Sequence, residues 1–175
     1  KIKKLIKWSK YFDIQIMFSI ISEDGFDKLK NYDFQDYKIA SRTVKHDPDL
    51  AKKILDLNKN TFVSLGMSDK NHPPKEFSQY KNIKYLWCKS EYPTDLDALN
   101  DFPKDFSKTF FEGYSDHSMG IEMPLIAISR GANIIEKHFT LDKSDQTIRD
   151  HTLSATPKEF LSMTRIGKDI FSKLK

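Results

Sequence analysis

A chain of 175 residues, 38% apolar and 13% aromatic, fits one domain with enough apolar material to close a core, which excludes a disordered chain. Its formal charge of +4, from 29 basic and 25 acidic residues dispersed along the chain, gives no argument for nucleic acid, and no apolar run approaches the about 20 residues that span a bilayer. No apolar leader opens the chain, and the single Cys88 excludes an internal disulfide and a thiolate metal cage, so a soluble, cytoplasmic protein is expected.

Residues 1–12 place Ile2, Leu5, Ile6 and Phe12 on roughly one face and lysines on the other, which predicts a helix. DIQIMFSI (13–20) reads as a strand, and Ser22, Glu23 and Asp24 start a short helix to Leu29. YKIAS (37–41) is a second strand, after which Asp47 and Pro48 cap and open a helix carrying Leu50, Ile54, Leu55 and Leu57. TFVSLGM (61–67), IKYLWCKS (83–90) and TFFEGYS (109–115) are the next strands, and residues 121–128 form an apolar helical segment. NIIEKHFT (133–140) is the last strand, and Thr156, Pro157 and Glu159 form a capping box for a final helix.

The strands begin near residues 14, 37, 61, 83, 110 and 133, at intervals of 22 to 27 residues. Strands alternating with helices at this spacing predict an α/β fold with a parallel sheet and right-handed crossovers. An open, doubly wound sheet gathers its chemistry at one switch point, whereas a barrel collects it from the carboxyl end of every strand. Here each strand ends in polar groups: Ser19 and Ser22, Lys38 and Ser41, Ser64 and Gly66, Lys89 and Ser90, Ser115 to His117, Glu136 to His138. The expectation is a TIM (β/α)8-type barrel, here an incomplete portion of about six βα units over residues 1–175, with the first two units outside the chain.

Side chains alternate across a strand, so Ser115 and His117 share one side with Asp116 opposed, and Glu136 and His138 share one side with Lys137 opposed. A lone histidine at a strand end reads as a hydrogen-bonded structural residue. A pair on consecutive strand ends can meet around one divalent ion whose remaining positions go to water or substrate oxygen. His46 and His72 lie in loops and read as solvated, and His151 is also in a loop. Lys38 and Lys137 are long cations within strands; Lys38, with Ser41 nearby, can hold a phosphate or carboxylate, and Lys137 either does likewise or faces the helices and pairs with an acid there. Ser64 with Gly66 adds a hydroxyl and a close backbone approach, Cys88 reads as core packing, and Tyr92 and Pro93 shape a loop.

GYSDHSMGIEMPLIAISRGANIIEKHFTLDKS (113–144), with WCKSEYPTD, YKIAS, FVSLGM and DHTLSATPKEF, resembles the sialic acid synthase family, which includes N-acetylneuraminate synthases and their pseudaminic and legionaminic relatives. The resemblance implies a TIM barrel followed by a small antifreeze-like domain, absent here, and a homodimer in the full-length protein. It implies an enzyme that condenses phosphoenolpyruvate with an N-acetylated amino sugar, such as N-acetylmannosamine, releasing phosphate with Mn²⁺, or Mg²⁺ or Co²⁺, as cofactor. By motif the metal-binding histidines fall on His117 and His138, and the phosphoenolpyruvate contacts on Lys38, Ser41, Ser64, Ser115, Ser19 and Ser90. An acid near the sugar falls on Asp150.

The sequence also departs from that pattern. A family glutamate corresponds to Thr43, glycine-rich positions beside it read Ala40 and Arg42, and the common GPDH stretch becomes IRDH with one extra residue between His138 and Asp150. The 175-residue piece alone is expected not to turn over. The alternatives are a non-catalytic barrel that binds sugar or phosphate or serves as a scaffold, and a metal-dependent aldolase or isomerase on the same fold.

Overall fold

The computed structural model describes residues 1–144 and 147–174. Its centre is a single six-stranded sheet in the order β1-β2-β3-β4-β5-β6, every neighbouring pair parallel. The strands are β1 (Phe18–Ser19), β2 (Asp36–Ile39), β3 (Asn60–Ser64), β4 (Ile83–Cys88), β5 (Phe111–Asp116) and β6 (Ile134–Lys137). Because each strand pairs with the one before it, the order never reverses and there is no switch point, as in a half-barrel of the TIM type.

The helices are α1 (Ile2–Tyr11), α2 (Glu23–Leu29), α3 (Ser41–His46), α4 (Pro48–Leu55), α5 (Glu122–Ser129) and α6 (Pro157–Leu174). Their starts follow from local chemistry. Ser22 Oγ accepts from Gly25 N at 3.2 Å, and Asp47 Oδ1 accepts from Leu50 N at 3.1 Å with Pro48 opening the first turn. Thr156 N donates to Glu159 Oε2 at 2.8 Å, the return half of the capping box at α6. Among the described residues no helix is long and apolar enough to cross a membrane.

Alternation along the strands divides the chemistry. Tyr37 and Ile39 of β2, Val63 of β3, Trp87 of β4 and Tyr114 of β5 are buried in one apolar cluster with Leu50 and Ile54 of α4 and Met123 and Ala127 of α5. The intervening positions, Lys38, Ser64, Cys88, Ser115 and Glu136, face the concave side.

Strands β3, β4 and β6 end at Ser64, Cys88 and Lys137, short of residues 67, 90 and 140, and two further elements differ from the sequence reading. β1 is two residues long, not the eight of DIQIMFSI, because it lies at the sheet edge and has only β2 to pair with. The second strand stops at Ile39 where YKIAS was expected to run to Ser41, and Ser41 instead begins α3, whose other five residues the sequence reading left as connection. His46 therefore ends a helix, and His151 sits in a 3₁₀ turn, Arg149–His151.

Candidate active site

A cleft of about 660 Å³ opens at the carboxyl ends of the strands. Lys38 forms its floor from β2, 6% exposed, and its Nζ donates to Ser64 Oγ at 2.8 Å and to the Ile39 carbonyl at 3.2 Å. Glu136 reaches across from β6: its Oε2 accepts from Ser64 Oγ at 3.4 Å and stands 3.5 Å from Lys38 Nζ. Ser41 Oγ accepts from Gly66 N at 2.9 Å, which fixes the β3 terminus against the start of α3. A methyl on Gly66 would stand 2.5 Å from Ser90 Oγ and 2.8 Å from Cys88 Sγ, so only glycine lets these strand ends converge.

His117 follows β5 and is buried. Its Nδ1 lies 2.9 Å from the Lys89 carbonyl, which can only accept, so Nδ1 carries the proton and Nε2 keeps its lone pair. Burial holds the imidazole below the usual histidine pKa, in the neutral form a metal requires. His138 follows β6, with its ring centroid 5.3 Å from that of His117 and its Nδ1 3.9 Å from Asp150 Oδ2. Tyr92 lies against His117 at 4.1 Å between centroids, and burial pushes its hydroxyl up to about 12.

Behind this face, Asp116 is a structural hub. Its Oδ1 accepts from Tyr114 Oη at 2.6 Å and from Ser118 N and Oγ at 2.9 and 2.7 Å, and its Oδ2 meets Lys137 Nζ at 2.6 Å with both side chains fully buried. Lys137 thus takes the second of its two expected roles, pairing with an acid on the side opposite the histidines. Desolvation, reinforced by the Asp116 carboxylate, raises the Tyr114 hydroxyl far above its ordinary value, so it stays a donor.

The profile of the NeuB family matches residues 1–174. The chain belongs to the NeuB family. It is 35% identical over 167 residues to the N,N'-diacetyllegionaminic acid synthase of Campylobacter jejuni, covering 90% of this chain and 49% of that protein. It is 31% identical over 171 residues to the N-acetylneuraminate-9-phosphate synthase of Drosophila melanogaster, covering 89% of this chain and 44% of that one. The crystal structure of an N-acetylneuraminic acid synthetase from Leptospira borgpetersenii, in complex with citrate, superposes with a TM-score of 0.83 at 29% identity, over 98% of this chain and 62% of that one. The chain spans about half the length of the curated relatives it matches.

On this NeuB-family scaffold, the sequence-derived residues are brought to one cleft: Lys38, Ser41, Ser64, Ser115, His117, His138 and Asp150 all line it, as do Ser19, exposed on edge strand β1, and Ser90. The donor set fits a divalent ion. His117 turns Nδ1 to the Lys89 carbonyl, which leaves its Nε2 as the ligand atom, and the His138 ring stands 5.3 Å away centroid to centroid, near enough for two bonds of about 2.1 Å to meet one ion. Among the described residues no third His, Cys, Asp or Glu completes a protein cage, so water and substrate oxygens would fill the other positions, as in an open catalytic centre. Cys88 is buried as expected, but it also lines the cleft, with Sγ 3.8 Å from His117 Nδ1; burial pushes its thiol up, so it stays protonated.

Glu136, Tyr92 and Arg149 are among the cleft-lining residues that sequence reasoning left without a site role, as are Arg42 and His46. Glu136 was legible as a neighbour of His138 by alternation, but its reach to Lys38 crosses the three strands between β6 and β2. Arg149 places its guanidinium 4.8 Å over the Tyr92 ring, a contact between distant loops that no local pattern encodes.

Proposed function

We propose that this chain is the barrel portion of a synthase that condenses phosphoenolpyruvate with an N-acetylated amino sugar to give a nonulosonic acid and phosphate. One observation carries the reading: two imidazoles from adjacent strands converge beside a buried lysine and serine hydroxyls built for a small anion. Relatives named as synthases of legionaminic acid and of N-acetylneuraminate 9-phosphate support the same class of chemistry.

In this reading Lys38, Ser41, Ser64 and Ser115 bind the phosphoenolpyruvate anion, with Ser19 and Ser90 at its margins, and orient its methylene carbon. His117 and His138 would hold a divalent ion, Mn²⁺ by preference, which would supply Lewis-acid polarisation of the open-chain sugar aldehyde. The methylene carbon forms a bond to the aldehyde carbon, the cation left at the enol-ether carbon takes up water, and the tetrahedral product expels phosphate. Asp150 faces His138 and the cleft, where it orients the imidazole and meets the sugar. Two further βα units close the sheet, since β1 and β6 are each paired on one side only.

The test is Mn²⁺-dependent phosphate release by the full-length protein from phosphoenolpyruvate and a panel of N-acetylated hexosamines. Release that requires both substrates and is lost in EDTA supports the reading; none with any sugar removes it. The second reading, a binding barrel without turnover, draws on Thr43, which is neutral and 4% exposed where the family pattern has a glutamate. Calorimetric binding of phosphoenolpyruvate without phosphate release would favour it.

A further inference from the structure

His117 and His138 are each the first residue past a strand, since β5 ends at Asp116 and β6 at Lys137. The ladder between the two strands therefore closes on the pair Asp116 and Lys137, one residue short of the imidazoles. Beyond it the two chain segments take different partners. The His117 carbonyl accepts from Thr94 N at 2.9 Å, and the His138 carbonyl accepts from Ala155 N at 2.7 Å. On the reverse of the sheet a pair of fully buried side chains spans the two segments. Lys137 Nζ donates to Asp116 Oδ2 and to the Ser118 carbonyl, each at 2.6 Å, and Asp116 Oδ1 accepts from Ser118 N at 2.9 Å and from Ser118 Oγ at 2.7 Å. The residues on both sides of His117 are thus gripped by the residue that precedes His138.

We propose that Asp116 and Lys137 are positioning residues for the divalent ion, their contact setting the spacing of the two imidazoles from behind the sheet. The inference rests on the proposed function only in taking the two histidines as holders of an ion. Two short bonds to one ion tolerate little play, and ligands carried just past a ladder are only as steady as whatever holds those segments. A role in stability alone requires no such placement, because an apolar pair of similar volume often serves a fold as well as a buried ion pair does. A tie that holds both neighbours of one ligand and directly precedes the other is what a spacing device requires. The anion floor stands apart from it, on Lys38 of β2 and Ser64 of β3.

The test compares the full-length protein with its double variant Asp116→Asn, Lys137→Met, which removes both charges and keeps an oxygen for Tyr114 Oη and Ser118. Mn²⁺ affinity is read from the paramagnetic resonance of the free ion, phosphoenolpyruvate affinity by calorimetry in EDTA, and folding by urea denaturation. The double variant is expected to stay folded and to keep its phosphoenolpyruvate affinity, while binding Mn²⁺ about 10- to 100-fold more weakly. Lys137→Met alone leaves Asp116 its three donors from Tyr114 and Ser118, is expected to show a loss of the same order, and decides the matter if the double variant does not fold. Unchanged Mn²⁺ affinity in a folded variant overturns the inference, as does a parallel fall in phosphoenolpyruvate affinity, which marks a tie that serves the barrel as a whole. A wild-type protein that binds no Mn²⁺ sinks the metal reading itself, whereas a wild type that binds it no better than the variants sinks only the role of Asp116 and Lys137.

Discussion

At the scale of single residues, the site was legible where a side chain violated the habit of its surroundings. Lys38 stood out as a buried-strand cation, and the two histidines as polar groups recurring at successive strand ends; the alternation rule then assigned Ser115 and Glu136 to the same side as their histidines. What stayed hidden depends on chain segments far apart, such as Arg149 meeting Tyr92 or Glu136 meeting Lys38. Two outcomes test these assignments in the full-length protein. Lys38→Met removes the floor cation and is expected to weaken phosphoenolpyruvate binding about 10- to 100-fold, read by calorimetry. Asp150→Asn leaves the imidazole of His138 less firmly oriented and is expected to loosen Mn²⁺ about 10- to 100-fold, read from the paramagnetic resonance of free Mn²⁺. Unchanged Mn²⁺ affinity would leave Asp150 as a sugar contact only.

At the scale of elements, caps were readable because their chemistry is local, and edges were not because pairing is global. Asp47 with Pro48 and Thr156 with Glu159 announced α4 and α6. The β1 run looked like any apolar strand, yet only Phe18 and Ser19 find partners. Glu159 is held down to about 2, first by Lys143 and then by Thr156 N, against an ordinary 4.5. Since its folded value is depressed, its contribution is present above about pH 4.5 and is lost as pH falls toward 2. Glu159→Gln is expected to cost about 1 kcal/mol at pH 7 after solvent screening, and nothing near pH 2, in urea denaturation at both pH values. Gly113 is a sharper case: a methyl there would stand 2.2 Å from the Ile134 carbonyl oxygen, and backbone cannot rotate away. Gly113→Ala should lower stability by about 3 kcal/mol by splaying β5 from β6.

At the scale of the whole molecule, six parallel strands in sequential order leave β1 and β6 with one unpaired side each. Exposed Tyr11, Phe12 and Ile14 precede the first edge strand in the chain, and Phe139 and Leu141 follow the last. Such edges recruit further strands, so the 175-residue chain expressed alone is expected to associate with rising concentration in size-exclusion chromatography with light scattering. A strictly monomeric peak would show the edges to be covered from within.

The buried Asp116 and Lys137 tie lies on the reverse of the two strands that carry the histidines. Losing the acid alone would strand an ammonium in a dry layer, at about 3–5 kcal/mol. A reading-frame-preserving deletion of one codon inside β5 would do more: it would turn each following residue of the strand over, sending an imidazole among the aromatics and a carboxylate into the basin. A change of length is therefore tolerable in a connection and ruinous between Gly113 and Asp116, where the count of residues decides which side chains face the basin.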